Sequence, residues 1–376
     1  MTLCLGLDVG NAKLKLCAGP ADASSVRWSS ARIRYTDALR YRRHQDFEEG
    51  LASGLTEFLG AALDDVREVV AVNSSGYAYP TYHEGVRHTF ATLARLLPHA
   101  RCHALSGTGE LVDAEEIASA DAARLDPITF TNALGAAHLA RRLSALGFDP
   151  ERGREVTALA VDTGGSTSGA TPIVEGVFDP EASATPARFL EHRLLHGKLT
   201  WIGVQTTPLE MLASHVELAR GSFPVIPRGL AFDHVAHVLE LLPAEHARRL
   251  ALFKLAPDRA LSLRGIADTL NLDPSMASEE ELLSAARAFH RAATRRLSAS
   301  LERAGGALRD RADASAIAFG LGASALTRPA LLEAGWPSER VRLGADLLAA
   351  SHADAASCFG AWHFARERLL GRPLAL

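Results

Sequence analysis

The chain has 376 residues, of which 47% are hydrophobic and 22% charged, which is ordinary for a globular protein large enough for two domains. Its formal net charge of −4 argues against broad binding to nucleic acid or to an anionic membrane. No apolar run is long enough to span a bilayer, and no basic segment precedes the short apolar run at the N-terminus, so neither a membrane anchor nor a signal peptide is expected.

The first predicted element is a hairpin at the N-terminus. Leu3–Leu7 has the composition of a buried strand, and it runs into Asp8 and Gly10 before a second strand leaves the turn. Because side chains alternate along a strand, Lys13 and Lys15 point to the same face. Both could neutralise a phosphate group bound at the turn, although a solvent-facing side of the hairpin is the plainer interpretation.

The remainder of the first half alternates helices and strands. An amphipathic pattern predicts a helix from Phe47 to about Leu63, and a strand at Val66–Val72 runs into a polar turn that contains Ser74. The elements predicted after that turn are a helix at Glu84–Leu97, a strand at Cys102–Leu105 and an Ala-rich helix that follows Asn132 and continues through Arg142.

The central stretch of the chain repeats the hairpin of the N-terminus. Val156–Val161 is an apolar run of the kind found in buried strands, and it ends at Asp162. The turn that follows brings several backbone N–H groups and hydroxyls to one small volume, which is how proteins commonly hold phosphate. The turn residues are Gly164, Gly165, Ser166, Thr167 and Ser168.

The polar segment 147–155 contains Gly147, Pro150 and Gly153 and predicts a linker, so we expect a first lobe over residues 1–150 and a second over 151–376. A mostly helical insertion is predicted over about 230–304 and is expected to end at Gly305 and Gly306. The other elements predicted for the second lobe are strands at Phe189–Leu195 and Leu199–Val204, a helix at Leu209–Arg220, strands at Ser315–Phe319 and Val341–Leu343, and a closing helix, 353–370, that packs back on the first lobe.

Asp8 and Asp162 each follow a buried strand and lie about one domain length apart, which predicts a duplicated α/β architecture with two phosphate hairpins facing a central cleft. Two ordinary β-hairpins are the alternative. In the first interpretation the two carboxylates bind Mg²⁺, directly or through water, or accept a proton. Gly322 and Ser324, which follow the strand at Ser315–Phe319, are further candidates for contact with a ligand.

Other chemistries have weak support in the sequence. His192 and His196 lie four residues apart with no third ligand evident, so packing or surface roles are favoured over a metal site, and the same holds for His234 and His237. No Gly-x-Ser-x-Gly elbow is present. The scattered cysteines are expected to be buried and reduced in the cytoplasm, and they are Cys4, Cys17, Cys102 and Cys358.

Several segments resemble a known superfamily, that of sugar kinases, heat-shock chaperone ATPases and actin. Residues 6–15 read GLDVGNAKLK, residues 162–173 read DTGGSTSGATPI and residues 201–208 read WIGVQTTP. Within the superfamily these motifs are similar to those of the hydantoinase/oxoprolinase-like branch, nearest to the tetrahydromethanopterin-linked one-carbon pathway proteins and the (aminomethyl)furan methanamine synthases. The resemblance implies a two-lobed actin-like fold, built from duplicated ribonuclease H-like units.

The resemblance also implies a reaction. The family enzyme joins an aminomethylfuran-methyl diphosphate to the phenol of a tyramine derivative and expels pyrophosphate, so the implied partners are these two small molecules, with Mg²⁺ as cofactor. In methylotrophic bacteria a tyrosine-containing furan cofactor is the expected product. The resemblance adds Thr206 and Thr207 to the candidate cleft residues, beside Ser74 and Asn132.

The sequence departs from the family pattern at several positions in the presumed cleft. The departures are Asn11 in place of a second Gly, Lys13 and Leu14 in place of Asn-Thr, Gly169 in place of Asp, Gln205 and Thr206 in place of two Arg, Arg228 near an expected Glu, and Tyr77 about where a Glu is expected. Two alternatives therefore stay open. One is an ATP-dependent enzyme of the kinase or hydantoinase kind, and the other is a diverged, non-catalytic partner in a complex for cofactor biosynthesis.

Overall fold

The computed structural model describes residues 2–10, 13–22, 27–32, 44–73, 79–242 and 258–376. Predictions that concern Asn11, Ser74 and Tyr77 lie outside these residues, as does the side chain of Lys13. Two mixed sheets dominate the described part of the chain, one formed before residue 114 and the other after residue 157.

The first sheet has the strand order β3-β2-β1-β4-β5-β6. β1 pairs antiparallel with β2 and parallel with β4, and β4 pairs parallel with β5. The buried Val, Leu and Ala side chains of β1 and β4 explain why these strands lie in the middle of the sheet. The strands are β1 Leu3–Val9, β2 Lys13–Pro20, β3 Arg27–Arg32, β4 Val66–Asn73, β5 Arg101–Leu105 and β6 Leu111–Asp113.

The second sheet repeats this arrangement with the order β10-β8-β7-β13-β14, where β9 also pairs with β8. β7 pairs antiparallel with β8 and parallel with β13, and β13 pairs parallel with β14. The chain therefore has the duplicated, two-lobed, actin-like α/β fold that the sequence predicted. The strands are β7 Ala158–Thr163, β8 Ser168–Val174, β9 Val177–Phe178, β10 Leu199–Thr200, a separate hairpin of β11 His215–Leu218 and β12 Gly221–Pro224, then β13 Ser315–Phe319 and β14 Val341–Leu343.

Helices cover the first sheet and bury their apolar faces against it. In the helix Tyr82–Leu96, Val86, Phe90 and Leu93 point inward. The Thr81 side chain caps the N-terminus of this helix by accepting a hydrogen bond from the Glu84 amide. The helices of this half are α1 His44–Leu59, α2 Tyr82–Leu96, α3 Ala114–Ser119, α4 Ala122–Leu125 and α5 Asn132–Arg142, with 3₁₀ turns at Gly60–Asp65, Asp126–Ile128 and Ser144–Leu146.

Helices also form the insertion that precedes β13, and they enclose a second apolar core. The longest of them begins at a capping box between Ser278 and Glu281. The helices of the second half are α6 Pro180–Ser183, α7 Phe189–Leu195, α8 Phe232–Val238, α9 Arg259–Thr269, α10 Glu279–Arg309, α11 Arg328–Glu333, α12 Gly344–Leu347, α13 Ala350–Asp354 and α14 Ala356–Leu370, with 3₁₀ turns at Pro186–Arg188, Leu209–Met211, Pro274–Met276 and Ser338–Arg340 and a π-turn at Ala323–Thr327.

The two halves exchange their last helices. α5 packs on β7 and β8 of the second sheet, whereas α14 packs on β1 and β4 of the first sheet and on α5 itself. The indole N–H of Trp362 donates to the Gly19 carbonyl at 3.4 Å, and Arg366 donates to the Ala21 carbonyl at 2.9 Å. A central apolar core between the sheets results from this exchange.

Three local predictions for the second half were wrong. Phe189–Leu195 is a helix rather than a strand, and the strand predicted over Leu199–Val204 is limited to Leu199–Thr200. The helix predicted over Leu209–Arg220 is a short 3₁₀ turn followed by β11. In β11 the side chains alternate between exposed and buried, a period of two that is typical of strands.

The long helix of the insertion also extends further than predicted. α10 passes through Gly305 and Gly306 and ends at Arg309. Gly305 lies against Leu159, because a Cβ at this position would meet the Leu159 Cδ2 atom at 2.5 Å, so the glycine permits close packing on β7 rather than ending the helix. None of the described helices is both long and apolar enough to cross a membrane.

Candidate functional site

The two hairpins place their aspartates at equivalent positions. Asp8 is the next-to-last residue of β1 and Asp162 is the next-to-last residue of β7. In the strand pairing Asp8 faces Lys15 and Asp162 faces Gly169. Both carboxylates are buried, with exposed fractions of 4% and 5%.

Lys15 joins the two aspartates in one electrostatic cluster. Its Nζ atom lies 3.0 Å from the Asp8 Oδ2 atom. Burial acts to lower the pKa of Lys15, but the negative charges of Asp8 and Asp162 outweigh it and hold the pKa above its ordinary value. The lysine is therefore a fixed cation between two carboxylates that come from different halves of the chain.

The carboxyl group of Asp162 has a pKa above its ordinary value. Burial raises its pKa and the charge of Asp8 adds to this effect, while the charge of Lys15 and a hydrogen bond from Ser357 oppose it. The Ser357 Oγ atom donates to the Asp162 Oδ2 atom at 2.6 Å. A carboxylate whose pKa is raised is a stronger base than an ordinary carboxylate, which suits it to accept a proton from a substrate.

The turn of the second hairpin presents backbone donors. The Gly164 amide donates to the Thr167 carbonyl, and the carbonyls of Gly164 and Gly165 accept from the amides of residues 204–206. Within the described part of the chain, no acceptor faces the backbone N–H groups of Gly165, Ser166 and Thr167. These residues are partly exposed, and clustered backbone N–H groups of this kind commonly bind the oxygens of an anion.

Two predicted site residues, Ser168 as a phosphate ligand and Thr207 as a cleft residue, use their hydroxyls for hydrogen bonds within the protein. The Ser168 hydroxyl is buried, donates to the Ile202 carbonyl at 2.6 Å and contacts the Thr163 hydroxyl. The Thr207 hydroxyl donates to the Gly203 carbonyl at 2.9 Å and accepts from the Gly203 amide. Both residues position the segment that lies against the turn.

Gln205 is a further candidate site residue, which the sequence marked only as a departure from the family pattern. Its carboxamide lies over Gly165, since a Cβ on that glycine would come within 2.0 Å of the Gln205 Oε1 atom. The side chain is 6% exposed, and its Nε2 atom has no hydrogen-bond partner among the described residues. The Asp8 Oδ1 atom is likewise buried with no partner in the same set.

A buried donor and a buried acceptor without partners are costly in free energy unless something else satisfies them. The spare carboxylate oxygen of Asp8 fits a hard divalent cation such as Mg²⁺, which prefers oxygen ligands. The spare N–H group of Gln205, beside the turn amides, fits an anionic oxygen. The residues present therefore suit a metal-bound phosphate or diphosphate.

The remaining predicted residues lie at the ends of strands and helices or in turns. Gly10 follows β1, Asn132 begins α5 and Thr206 is partly exposed next to Gln205. Gly322 is packed against Thr163, whereas Ser324 is exposed in the π-turn.

Close packing against α5 explains why residue 169 is a glycine. A Cβ at this position would lie 2.5 Å from the Cβ of Ala133, so the glycine lets α5 approach the hairpin. The Asp expected there from the family pattern would not fit.

His192 lies near two carboxylates that the sequence did not associate with it, Asp179 and Glu181. The Lys198 ammonium group is situated among all three, at 2.7 Å from Asp179, 3.2 Å from Glu181 and 3.0 Å from the His192 Nε2 atom. The buried lysine thus supplies the positive charge in this cluster.

A second cluster, His138, His363 and Glu367, was not foreseen from the sequence. The Arg141 side chain donates to the His138 Nδ1 atom at 3.2 Å, so neutral His138 carries its proton on Nε2, which lies 3.2 Å from the His363 Nδ1 atom. This tautomer donates a hydrogen bond from Nε2 instead of offering that atom to a metal ion.

No protein-family model and no curated protein matches the sequence. The chain is similar in structure to component A of (R)-2-hydroxyglutaryl-CoA dehydratase from Acidaminococcus fermentans, with 11% identity, coverage of 98% of this chain and 100% of that chain, and a TM-score of 0.46.

It is also similar to a putative sugar kinase from Cytophaga hutchinsonii, with 14% identity, coverage of 96% and 99%, and a TM-score of 0.42. A third similar structure is a ROK family glucokinase from Streptomyces griseus in complex with glucose and AMPPNP, with 15% identity, coverage of 97% and 99%, and a TM-score of 0.41. Similarities at this level do not bear on activity, and the fold assignment depends on the strand order of this chain.

Proposed function

We propose that this protein is a transferase that binds the diphosphate group of an organic substrate between its two hairpins. The observation that carries the proposal is the cluster that the buried Asp8 and Asp162 form with the partly exposed Lys15, in which one Asp8 oxygen has no partner among the described residues. The N–H groups of the turn that follows Asp162, and that of Gln205 packed on this turn, also have no partner among the described residues and support the proposal.

The cluster supplies what the displacement of a diphosphate requires. The bond from the substrate carbon to the diphosphate oxygen breaks and a bond from that carbon to a phenol oxygen forms, so that pyrophosphate leaves and the phenol proton is released. Lys15 and the turn amides stabilise the charge that develops on the leaving group. Asp162, with its raised pKa, accepts the phenol proton.

Mg²⁺ held by Asp8, and by Asp162 through a water molecule, would neutralise part of the charge on the diphosphate when bound. The specific substrates follow from the sequence resemblance alone. They are an aminomethylfuran-methyl diphosphate and the phenol of a tyramine or tyrosine derivative. The product would belong to the methanofuran or methylofuran type of one-carbon cofactor.

The test is to incubate the purified protein with both substrates and Mg²⁺ and to measure pyrophosphate release. The Lys15→Met variant should lose about 10²-fold or more in rate, as is typical when a group that stabilises the leaving-group charge is removed. Lys198→Met, which removes the lysine of the cluster around Asp179, is the control for the loss of a lysine that is paired with carboxylates. Absence of release from the wild-type protein, while an authentic synthase works under the same conditions, contradicts the proposal.

A second candidate is an ATP-dependent kinase-like or hydantoinase-like enzyme. One observation favours it. The turn after β13 places Gly320 against Asp162, since a Cβ at Gly320 would lie 2.3 Å from the Asp162 Oδ1 atom. The glycine lets the turn pack on Asp162, so a nucleoside bound at this turn would have its phosphates close to the same cluster.

Calorimetric titration with ATP and Mg²⁺, followed by titration with pyrophosphate and Mg²⁺, separates the two candidates. Tight binding of ATP together with its hydrolysis favours the ATP-dependent enzyme. Binding of neither ligand favours a non-catalytic partner in a cofactor-biosynthesis complex, which co-purification of a partner protein would support.

A further inference from the structure

Three aromatic side chains meet where the two halves of the chain face each other. Tyr82 comes from the first turn of α2, Phe130 from the segment before α5, and Trp201 from the residue directly after β10. The Phe130 ring lies edge-on to both of the others, with centroids 4.9 Å from Tyr82 and 5.9 Å from Trp201 and interplanar angles of 86° and 87°. We call this set the aromatic wall.

Phe130, at the centre of the wall, is held in an unfavourable backbone conformation. Its φ angle is +51°, a region that bulky residues rarely adopt. The buried Arg193 side chain donates to the Phe130 carbonyl at 2.6 Å, and the Phe130 ring packs in one cluster with Leu190 and Leu199. Such strain is retained when the surroundings fix it, and it concentrates at ligand-binding positions.

The wall lies beside the proposed diphosphate site. Thr131, next to Phe130, exchanges two hydrogen bonds with Asn73, and Asn73 pairs with Val9, the residue after Asp8. On the other side, Trp201 follows Thr200, which pairs with Ser168 of the second hairpin. The aromatic wall therefore joins the carboxyl end of the first sheet to the phosphate turn of the second.

The outer two residues of the wall are partly exposed, whereas the central one is buried. Tyr82 and Trp201 are 39% and 37% exposed, and Phe130 is 3% exposed. Broad ring faces fixed next to an anion site are the usual means of binding a planar aromatic group, because such rings offer a large contact area at a small entropic cost.

We propose that the aromatic wall binds the aromatic ring of the acceptor substrate, with Tyr82 and Trp201 as specificity-determining residues. This inference depends on the proposed function, since it assigns the site of the phenol that attacks the diphosphate ester. A nucleobase is the competing aromatic ligand. The strand order argues against it, because Trp201 follows the edge strand β10, whereas the Gly320–Gly322 turn follows β13 on the opposite side of β7.

The test measures equilibrium binding to the full-length protein by calorimetry, with tyramine as the aromatic probe and 2-cyclohexylethylamine as the saturated control. The wild-type protein should bind tyramine more tightly than the saturated amine. Trp201→Ala and Tyr82→Ala should each weaken tyramine binding by about tenfold, and Trp201→Phe should keep most of it. Leu195→Ala, an exposed apolar position on the C-terminal turn of α7, should leave it unchanged.

Pyrophosphate binding, measured on the same samples, separates the two proposals. If Trp201→Ala lowers tyramine affinity but keeps pyrophosphate affinity, the aromatic wall is a distinct subsite. If the wild-type protein binds pyrophosphate but not tyramine, or if both alanine variants bind tyramine like the wild type, the inference is wrong while the diphosphate site stands. If tyramine binds at the wall and pyrophosphate does not bind at all, the proposed function fails instead.

Adenosine is added in a competition experiment. Displacement of tyramine by adenosine at similar concentration would overturn the proposal that the aromatic wall binds the ring of the acceptor substrate. Thermal unfolding of each variant checks that it folds. If Trp201→Ala does not fold, Tyr82→Ala, on the opposite side of Phe130, decides the question.

Discussion

Gly360 of α14 lies directly against Gly135 of α5, so that a Cβ added to Gly360 would come within 1.9 Å of the Gly135 carbonyl oxygen. In the same crossing, a Cβ on Gly135 would lie 2.0 Å from the Ser357 carbonyl oxygen. Ser357 is the residue whose hydroxyl binds Asp162. The contact between the two exchanged helices therefore also fixes one side of the candidate site.

The first prediction is that Gly360→Ala strongly destabilises the protein. The new methyl group would meet backbone atoms, which cannot move aside as a flexible side chain can, so the helices must separate. We expect a loss of about 2 kcal/mol or more in the free energy of unfolding, measured by urea denaturation.

Gly306→Ala is the matched control, because Gly306 is also helical and a Cβ there would meet nothing within 4 Å. This substitution should be neutral or should stabilise the protein by up to about 1 kcal/mol through helix propensity. Equal effects of the two substitutions would show that the crossing at Gly135 is not tightly packed.

The second prediction concerns Asp162→Asn, which should stabilise the folded protein while it removes ligand binding. Burial raises the pKa of Asp162 in the folded state, so the ionised carboxylate opposes folding above that pKa. An amide of similar shape removes this cost and keeps an acceptor for the Ser357 hydroxyl. We expect a gain of about 1 kcal/mol at pH 7, as is common when a functional charge is removed.

Chemical denaturation at pH 7 and at pH 4 measures this effect. The gain should shrink at pH 4, since protonation there relieves the wild-type protein of the same charge. Pyrophosphate binding in the presence of Mg²⁺ should fall by at least about tenfold in the variant. A variant that is less stable at pH 7 yet binds pyrophosphate normally would assign Asp162 a purely structural role.

Local patterns in the sequence were sufficient for part of this arrangement. The apolar runs before Asp8 and Asp162 predicted the hairpins, because a buried strand next to a Gly-rich turn is a local feature. The failure at Phe189–Leu195 has a physical origin. This short apolar segment fits either a strand or a buried helix, and its helical form is stabilised by Arg193, which bonds to the distant Phe130 carbonyl.

Contacts between residues that are distant in the chain could not be predicted from local sequence patterns. Lys198 and Asp179 form a buried ion pair, and Gln205 lies over Gly165, although neither pairing has a fixed spacing that would reveal it. The aromatic wall is assembled from three separate segments, so its members look like unrelated aromatic residues in the sequence.

The third prediction is that the protein loses stability as the pH falls below about 6.5, because of two buried histidines. Burial, together with the positive charges of nearby arginines, lowers the pKa of His363 to about 3 and that of His138 well below its ordinary value. The unfolded chain binds protons near pH 6.5, whereas the folded protein does not. The stabilisation is thus fully present above pH 6.5 and is lost as the pH falls toward the folded pKa.

Between pH 6.5 and pH 5, His363 alone should account for about 2 kcal/mol of lost stability. The groups that face the pair are Arg141, Arg142 and Arg366, which oppose protonation, and the buried Glu367. The free energy of unfolding measured at several pH values should show a smaller slope for His363→Leu than for the wild type. The exposed residue His99, changed to Leu, should leave the slope as it is, and identical slopes for all three proteins would contradict this account.

The fourth prediction is that Gln205→Glu weakens anion binding more than Gln205→Ala does. The glutamate has nearly the same shape, but it would place a negative charge over Gly165, where the turn amides face the ligand. The alanine variant only removes the spare N–H donor. We expect about a tenfold loss of pyrophosphate affinity for alanine and a larger loss for glutamate, measured by calorimetry with Mg²⁺ present.

Met211→Glu adds the same charge at an exposed position six residues further along the chain, and it should change the affinity by less than about twofold, because exposed charges are screened by water and salt. Gln205→Ala should not lower the stability of the protein, since it removes a buried donor that has no partner among the described residues. If the two Gln205 variants bind pyrophosphate as tightly as the wild type does, the unpaired amide does not face the ligand, and the anion must lie on the other side of the turn.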